Sequence, residues 1–180
     1  MAFVLGAIAL CLWAEYASAE ETAVGLEERV KAAFLYKFGN YVEWPKDAFA
    51  RDDSPVVIGV AGDEAVADEL AQAVAGRKLG NRPVEVLRLA PGDPLDHVNI
   101  LFIGRDSRAG GAELMARARS LPVLTVTESD DAQPPNSVIN FVVVDNHVRF
   151  EIFLDAAARH RLKLASALLA VAREVHGGRQ

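Results

Sequence analysis

Apolar residues recur along the chain with different periods, and each period predicts a different element. Leu26, Val30, Ala33, Phe34, Tyr41 and Val42 fall at helical spacing with Phe38 between them. That spacing predicts an amphipathic helix over about 26–42. Gly39-Asn40 weakens its last turn, and Pro45 stops it, because the residue before a proline avoids helical angles. The runs PVVIGVAG (55–62), VNILFIG (98–104) and LPVLTVT (121–127) are apolar throughout and predict buried strands, whereas RPVEVLRL (82–89) alternates and predicts a half-covered one. Between them lie DEAVADELAQAVAG (63–76), with Asp63 placed to cap its start and Gly76 its end, and SRAGGAELMARARS (107–120). Both read as helices. Near the C-terminus, SVINFVVVDNHVRFEIFL (137–154) is two strand-like runs around Asp145-Asn146, a β-hairpin signature. DAAARHRLKLASALLAVAREV (155–175) then predicts a closing helix, whole or broken at Arg161 to Lys163. The expected fold is α/β: a single domain with a mostly parallel sheet flanked by helices, a C-terminal β-hairpin and a closing helix.

The first residues change the picture. In MAFVLGAIALCLWAEYASAEE an apolar run from Ala2 to Trp13 precedes Ala17-Ser18-Ala19, a small-x-small site before Glu20. This predicts a secretory signal peptide over 1–19, cleaved after Ala19, and a mature domain over 20–180 exported to the periplasm. The run is too short to span a membrane as a mature helix. Cys11, the only cysteine, would leave with the leader. Leu10 stands before it where lipid attachment wants a small residue. The mature chain would then have no thiol nucleophile, disulfide or cysteine metal site. With 19 basic residues against 25 acidic, the formal net charge is −6, which argues against a nucleic acid as partner.

Candidate chemistry is sparse. No Gly-x-Gly-x-x-Gly and no phosphate loop ending in Gly-Lys-Ser/Thr occurs, and no nucleophile elbow supports a triad. IGRDSRAGG (103–111) could present backbone N–H groups to an anion, but the plainer reading is a strand–helix turn capped by Asp106 or Ser107. His97, His147, His160 and His176 do not pair at metal spacing; His160 and His176 read as solvated and His147 as a hairpin residue. The carboxylate pairs Glu27-Glu28, Asp52-Asp53 and Asp130-Asp131 read as solvated surface. No catalytic residue, cofactor or metal is expected.

Two polar residues interrupt apolar runs, Asn140 in VINFVVV and Glu151 in RFEIFL. In a half-exposed hairpin they would face water; pointed inward, the carboxylate would need a partner such as Arg149 or Lys31; a recognition role is the third reading. KAAFLYKFGNYVEWP (31–45) concentrates rings in a chain only 7% aromatic. Phe34, Phe38 and Tyr41 share a helix face and are expected in the core, with Leu35 and Val42 on a neighbouring face. Tyr36 lies off that stripe, and Trp44 sits at the helix end. Tyr36, Trp44, Asn140, Arg149 and Glu151 are therefore the candidate partner-binding residues. An alternative is a small-ligand pocket at the carboxyl ends of the parallel strands, built from Gly62, Asp63, Gly104, Arg105 and Ser107.

Taken together, VKAAFLYKFGNYVEWP, VVIGVAGDEAVADEL, RPVEVLRL, ILFIG and VINFVVVDNHVRFEIFLDAAARHRLKLASALLAVA resemble the YfiR family of periplasmic regulators, over nearly all of the mature chain. The resemblance implies a binding module rather than an enzyme. It implies repression of a membrane-anchored diguanylate cyclase through the cyclase's periplasmic sensor part. An outer-membrane lipoprotein would sequester the repressor, raising cyclic di-GMP and with it adhesion and biofilm. A homodimer is a further assembly it leaves open. The chain departs from the family at Val98, near which well-known members carry half of a disulfide, which excludes redox sensing here. It departs again at Phe153, where asparagine is frequent, and at Asn146, where the turn often ends in glycine.

Overall fold

The apolar runs lie side by side in one twisted layer. The structure is a computed structural model describing residues 25–128 and 136–178; the leader and Asp130-Asp131 lie outside them. Helix α1 covers 25–38. It is followed by β1 (Val42–Glu43), β2 (Val56–Ala61), α2 (Glu64–Val74), β3 (Lys78–Leu79), β4 (Arg82–Arg88), β5 (Ile100–Ile103) and α3 (Arg108–Ala118). Then come β6 (Leu124–Glu128), β7 (Ile139–Val144), β8 (His147–Phe153), α4 (Leu154–Arg159), β9 (Lys163–Leu164), α5 (Ser166–Leu169) and β10 (Glu174–His176). Eight strands form one sheet in the order β10-β8-β7-β6-β5-β2-β4-β3. From β4 to β7 the neighbours run parallel. β8 returns antiparallel beside β7, and β10 adds parallel to β8. This is the expected α/β fold with a mostly parallel sheet flanked by helices and a C-terminal hairpin.

Burial explains the strand pattern. β2, β5 and β6 are buried at every position because helices cover both faces. On one face Ala32, Leu35 and Phe38 of α1 and Val66 and Leu70 of α2 pack on Ile58, Phe102, Val126, Phe141 and Ile152. On the other, Leu114 and Ala118 of α3 pack on Val57, Leu101 and Ile103. Asp63 accepts a hydrogen bond from the Val66 N–H at 2.9 Å and caps α2 as its position predicted. The hairpin turn places Asp145 and Asn146 at φ 50° and 58°, the double left-handed geometry of a type I′ turn. Among the described residues no helix is long and apolar enough to cross a membrane.

Two expectations fail. Helix α1 stops at residue 38, not 42. The Asn40 and Tyr41 N–H groups bond back to Lys37 and Phe38 carbonyls in a turn, and Val42–Glu43 becomes a strand paired with Lys163–Leu164. Gly39 packs closely against β3, where a Cβ would lie 2.3 Å from Leu79 Cδ1. Tyr41, beyond the bend, is 39% exposed, while Leu35 is fully buried. The closing helix is also replaced, by α4, β9, α5 and β10. Arg161 at φ 59° breaks it where a break was anticipated. The Ala165 N–H then bonds to the Tyr41 carbonyl and the Arg173 N–H to the Phe150 carbonyl. Pairing with two existing strands thus satisfies backbone groups that a longer helix would have satisfied internally.

Phe38→Ala should cost about 3–5 kcal/mol of unfolding free energy, and Tyr41→Ala less than about 1 kcal/mol. Urea unfolding measures both; similar costs would mean that α1 is not docked through Phe38.

Candidate functional site

At the carboxyl ends of the parallel strands the chain order reverses. β4 lies on one side of β2 and β5 on the other, which is where open α/β sheets leave a crevice. Gly62 follows β2 and Gly104 follows β5. A Cβ on Gly62 would fall 2.5 Å from Ser107 N, and one on Gly104 would fall 2.7 Å from Asp63 Cβ. The two glycines let the crossover loops touch. Above them opens a cleft of about 620 Å³. Its lining holds six acidic side chains (Glu27, Glu28, Asp63, Glu64, Asp106, Glu128) and two basic ones (Lys31, Arg105).

A buried ion network forms its floor. Lys31 Nζ lies 2.6 Å from Glu27 Oε1 and 2.8 Å from Glu128 Oε2, and Arg105 Nε lies 2.9 Å from Glu128 Oε1. The Lys31 and Glu128 side chains are each 3% exposed. Burial alone would lower the Lys31 pKa, but hydrogen bonds to Glu128 and Glu27 outweigh it, and the ammonium is held above its ordinary value. Burial pushes the Glu28 carboxyl upward, and its Oε2 finds no hydrogen-bond donor among the described residues. With acids in excess and Arg105 engaged by Glu128, the crevice disfavours an anion. The 103–111 turn is also built differently from the expectation: Ser107 begins α3 without a side-chain capping bond.

The candidate recognition residues do not form one surface. Tyr36 is half-buried on α1; its hydroxyl donates to the Lys78 carbonyl at 3.0 Å and Arg77 lies over its ring. Trp44 packs edge-on to Phe49 at 5.9 Å, and its Nε1 finds no acceptor among the described residues. Asn140, Arg149 and Glu151 sit on the opposite side of the hairpin from Phe141 and Phe150, with Asn140 facing Glu151 and Val142 facing Arg149. Asn140 does not face water. It is buried, and its Oδ1 accepts from Thr127 Oγ1 at 2.9 Å, because Thr127 is its neighbour on β6. Glu151 pairs with Arg173, not with Arg149 or Lys31, since β10 carries that side of the chain back onto β8. Arg149 is exposed.

Two histidines depart from the expected solvation. His160 is buried, with Nδ1 2.8 Å from the Leu121 carbonyl, and burial holds its pKa below the ordinary 6.5. His176 stacks on Phe153 at 4.6 Å. Neither contact has a sequence signal, because both arise from segments distant along the chain.

A model of the YfiR/HmsC-like family matches residues 28–173, from the first turn of α1 to the residue before β10. A search of curated proteins found no match.

Lys31→Met would leave Glu128 buried with Arg105 alone and should cost about 3–5 kcal/mol; a urea titration showing less than about 1 kcal/mol would mean the pair is solvated. His160 supplies a pH test. Its folded pKa is depressed, so stability is whole above about 6.5 and falls as the unfolded chain takes up the proton first. His160→Asn should therefore show a smaller loss of urea midpoint between about pH 7.5 and 5.5 than the parent protein, and an unchanged loss would assign that limb to other groups.

Proposed function

The chain belongs to the YfiR/HmsC-like family, and from that premise we propose that it is a periplasmic regulator that represses a membrane-anchored diguanylate cyclase. The family is regulatory rather than catalytic. The observation that carries the reading is the span of the match, which includes both the aromatic helix and the hairpin that it packs on. Cleavage after Ala19 would release residues 20–180 into the periplasm, where the cyclase's sensor part is accessible.

The mechanism is a population shift. The regulator binds the inactive sensor conformation better than the active one, and only that difference represses. Swinging a partner from 1:99 to 99:1 needs a preference of about 10⁴, more than a few rim charges supply, so packed contacts must contribute. Exposed Arg149 and half-buried Tyr36 and Trp44 are the contacts we assign, with Asn140 and Glu151 holding the hairpin behind Arg149. An outer-membrane lipoprotein that sequesters the regulator would relieve repression. A second reading, a small-ligand-binding domain, draws on the cleft at the strand carboxyl ends; its acidic lining suits a cationic ligand.

Membrane pull-down with residues 20–180 should capture an inner-membrane diguanylate cyclase, and Arg149→Glu should reduce capture at least about tenfold while leaving the melting temperature unchanged. If no cyclase is captured while a small organic cation raises the melting temperature, the ligand-binding reading replaces this one.

A further inference from the structure

Strand pairing brings Glu151 beside Glu174 and His176, assembling three metal-capable donors. β10 lies parallel to β8 with Glu174 opposite Glu151 and His176 opposite Phe153. One donor atom from each of Glu151, Glu174 and His176 lies within 4.8 Å of the others. We propose that these three side chains bind a divalent transition-metal ion of the zinc class.

The imidazole is presented as a ligand would be. Phe153 stacks on it at 4.6 Å and 11° between planes, which fixes the ring. His176 Nδ1 lies 3.6 Å from Glu174 Oε1, and Nε2 lies 3.6 Å from Glu151 Oε2. Nε2 is shut off from solvent and has no hydrogen-bond partner among the described residues. A buried ring nitrogen without a partner beside a carboxylate is an unmet demand, and a cation between the two would meet it.

Geometry and chemistry agree. Zinc–nitrogen and zinc–oxygen bonds are about 2.0–2.2 Å, so two atoms 3.6 Å apart subtend roughly 120° at a shared metal. Glu174 is 57% exposed and can swing inward to complete the set. Glu151, only 14% exposed, is held by Arg173 through Oε1, which leaves Oε2 turned toward the ring. One imidazole with two carboxylates suits zinc and its first-row neighbours better than calcium or magnesium. Three protein ligands leave positions for water, and the nearby Arg173 charge moderates affinity, so the ion would exchange. Because Glu151 belongs to β8 and the other two donors to β10, the metal would clamp the outermost strand of the sheet.

Calorimetric titration of the untagged full chain with zinc chloride tests the proposal. One equivalent should bind and raise the melting temperature, and His176→Phe, which keeps the stacking, and Glu174→Gln should each weaken binding at least about tenfold. Glu174 is exposed, so Glu174→Gln folds and decides alone if His176→Phe does not. Absence of saturable binding up to millimolar zinc overturns the proposal, as does a folded variant that binds zinc as tightly as the parent.

Discussion

The contact on which the rest depends is Phe38 between the rings of Phe141 and Phe150, at centroid distances of 5.9 and 5.1 Å. It joins the first helix to the C-terminal hairpin, so the fold closes only when the two ends of the domain meet. Phe34 and Phe102 extend the stack on either side. Edge-to-face geometry at Phe150 adds to the area buried. The consequence for charge is direct. Lys31 lies seven residues before Phe38, on the same helical face, and docking the ring forces the ammonium down onto the sheet as well. A lone buried ammonium is costly. Glu128 at the end of β6 is where that charge is met.

The cleft follows from this arrangement. Helix α1 brings Glu27 and Glu28 to the carboxyl ends of β2 and β6 as a by-product of seating Phe38 and Lys31. Lys31 and Arg105 are both engaged with Glu128, so the surplus acids give the crevice its sign. A family of protein-binding regulators can retain such a crevice without using it for ligands, because parallel strands and their glycine turns produce one wherever the chain order reverses. A cleft alone therefore weighs less than the family match in choosing between the two readings.

Much of this was legible in the sequence, and the failures share a cause. The strands β2, β4, β5 and β6, the β7–β8 hairpin, the Asp63 cap and the Asp145-Asn146 turn each rest on a local rule, and each is found; β3 carried no such signal. Helix α1 was overextended because Gly39 reads only as a weak helix former, whereas the chain turns there and Val42–Glu43 pairs with Lys163–Leu164, far along the sequence. The closing segment was read as helix because alanine and leucine dominate it. Its Glu174–His176 stretch becomes a strand because β8 offers a free edge, which no local propensity records. Asn140, Glu151 and His160 were misplaced for the same reason. Their partners Thr127, Arg173 and Leu121 come from other elements. Lys31 appeared as a partner for the wrong carboxylate: its burial was foreseeable from the stripe, its attachment to Glu128 was not.

The hairpin carries opposite chemistry on its two faces, and this bears on how a regulator of this kind could work. Phe141, Phe150 and Ile152 face α1 and cannot change without unseating the core. Asn140, Arg149 and Glu151 face the other way: Asn140 is bonded to Thr127 of β6, Glu151 is paired with Arg173 just before β10, and Arg149 is exposed. The Asn140 bond is buried and costly to break, whereas the Glu151–Arg173 pair reaches solvent and can be exchanged for water or for a partner's group. A surface meant to bind and release would be placed on that second face, and its response would pass through β10, which holds Glu151 through only a three-residue strand. Variation at Glu174 and His176 would then alter affinity for a partner without disturbing the rings that hold the domain together.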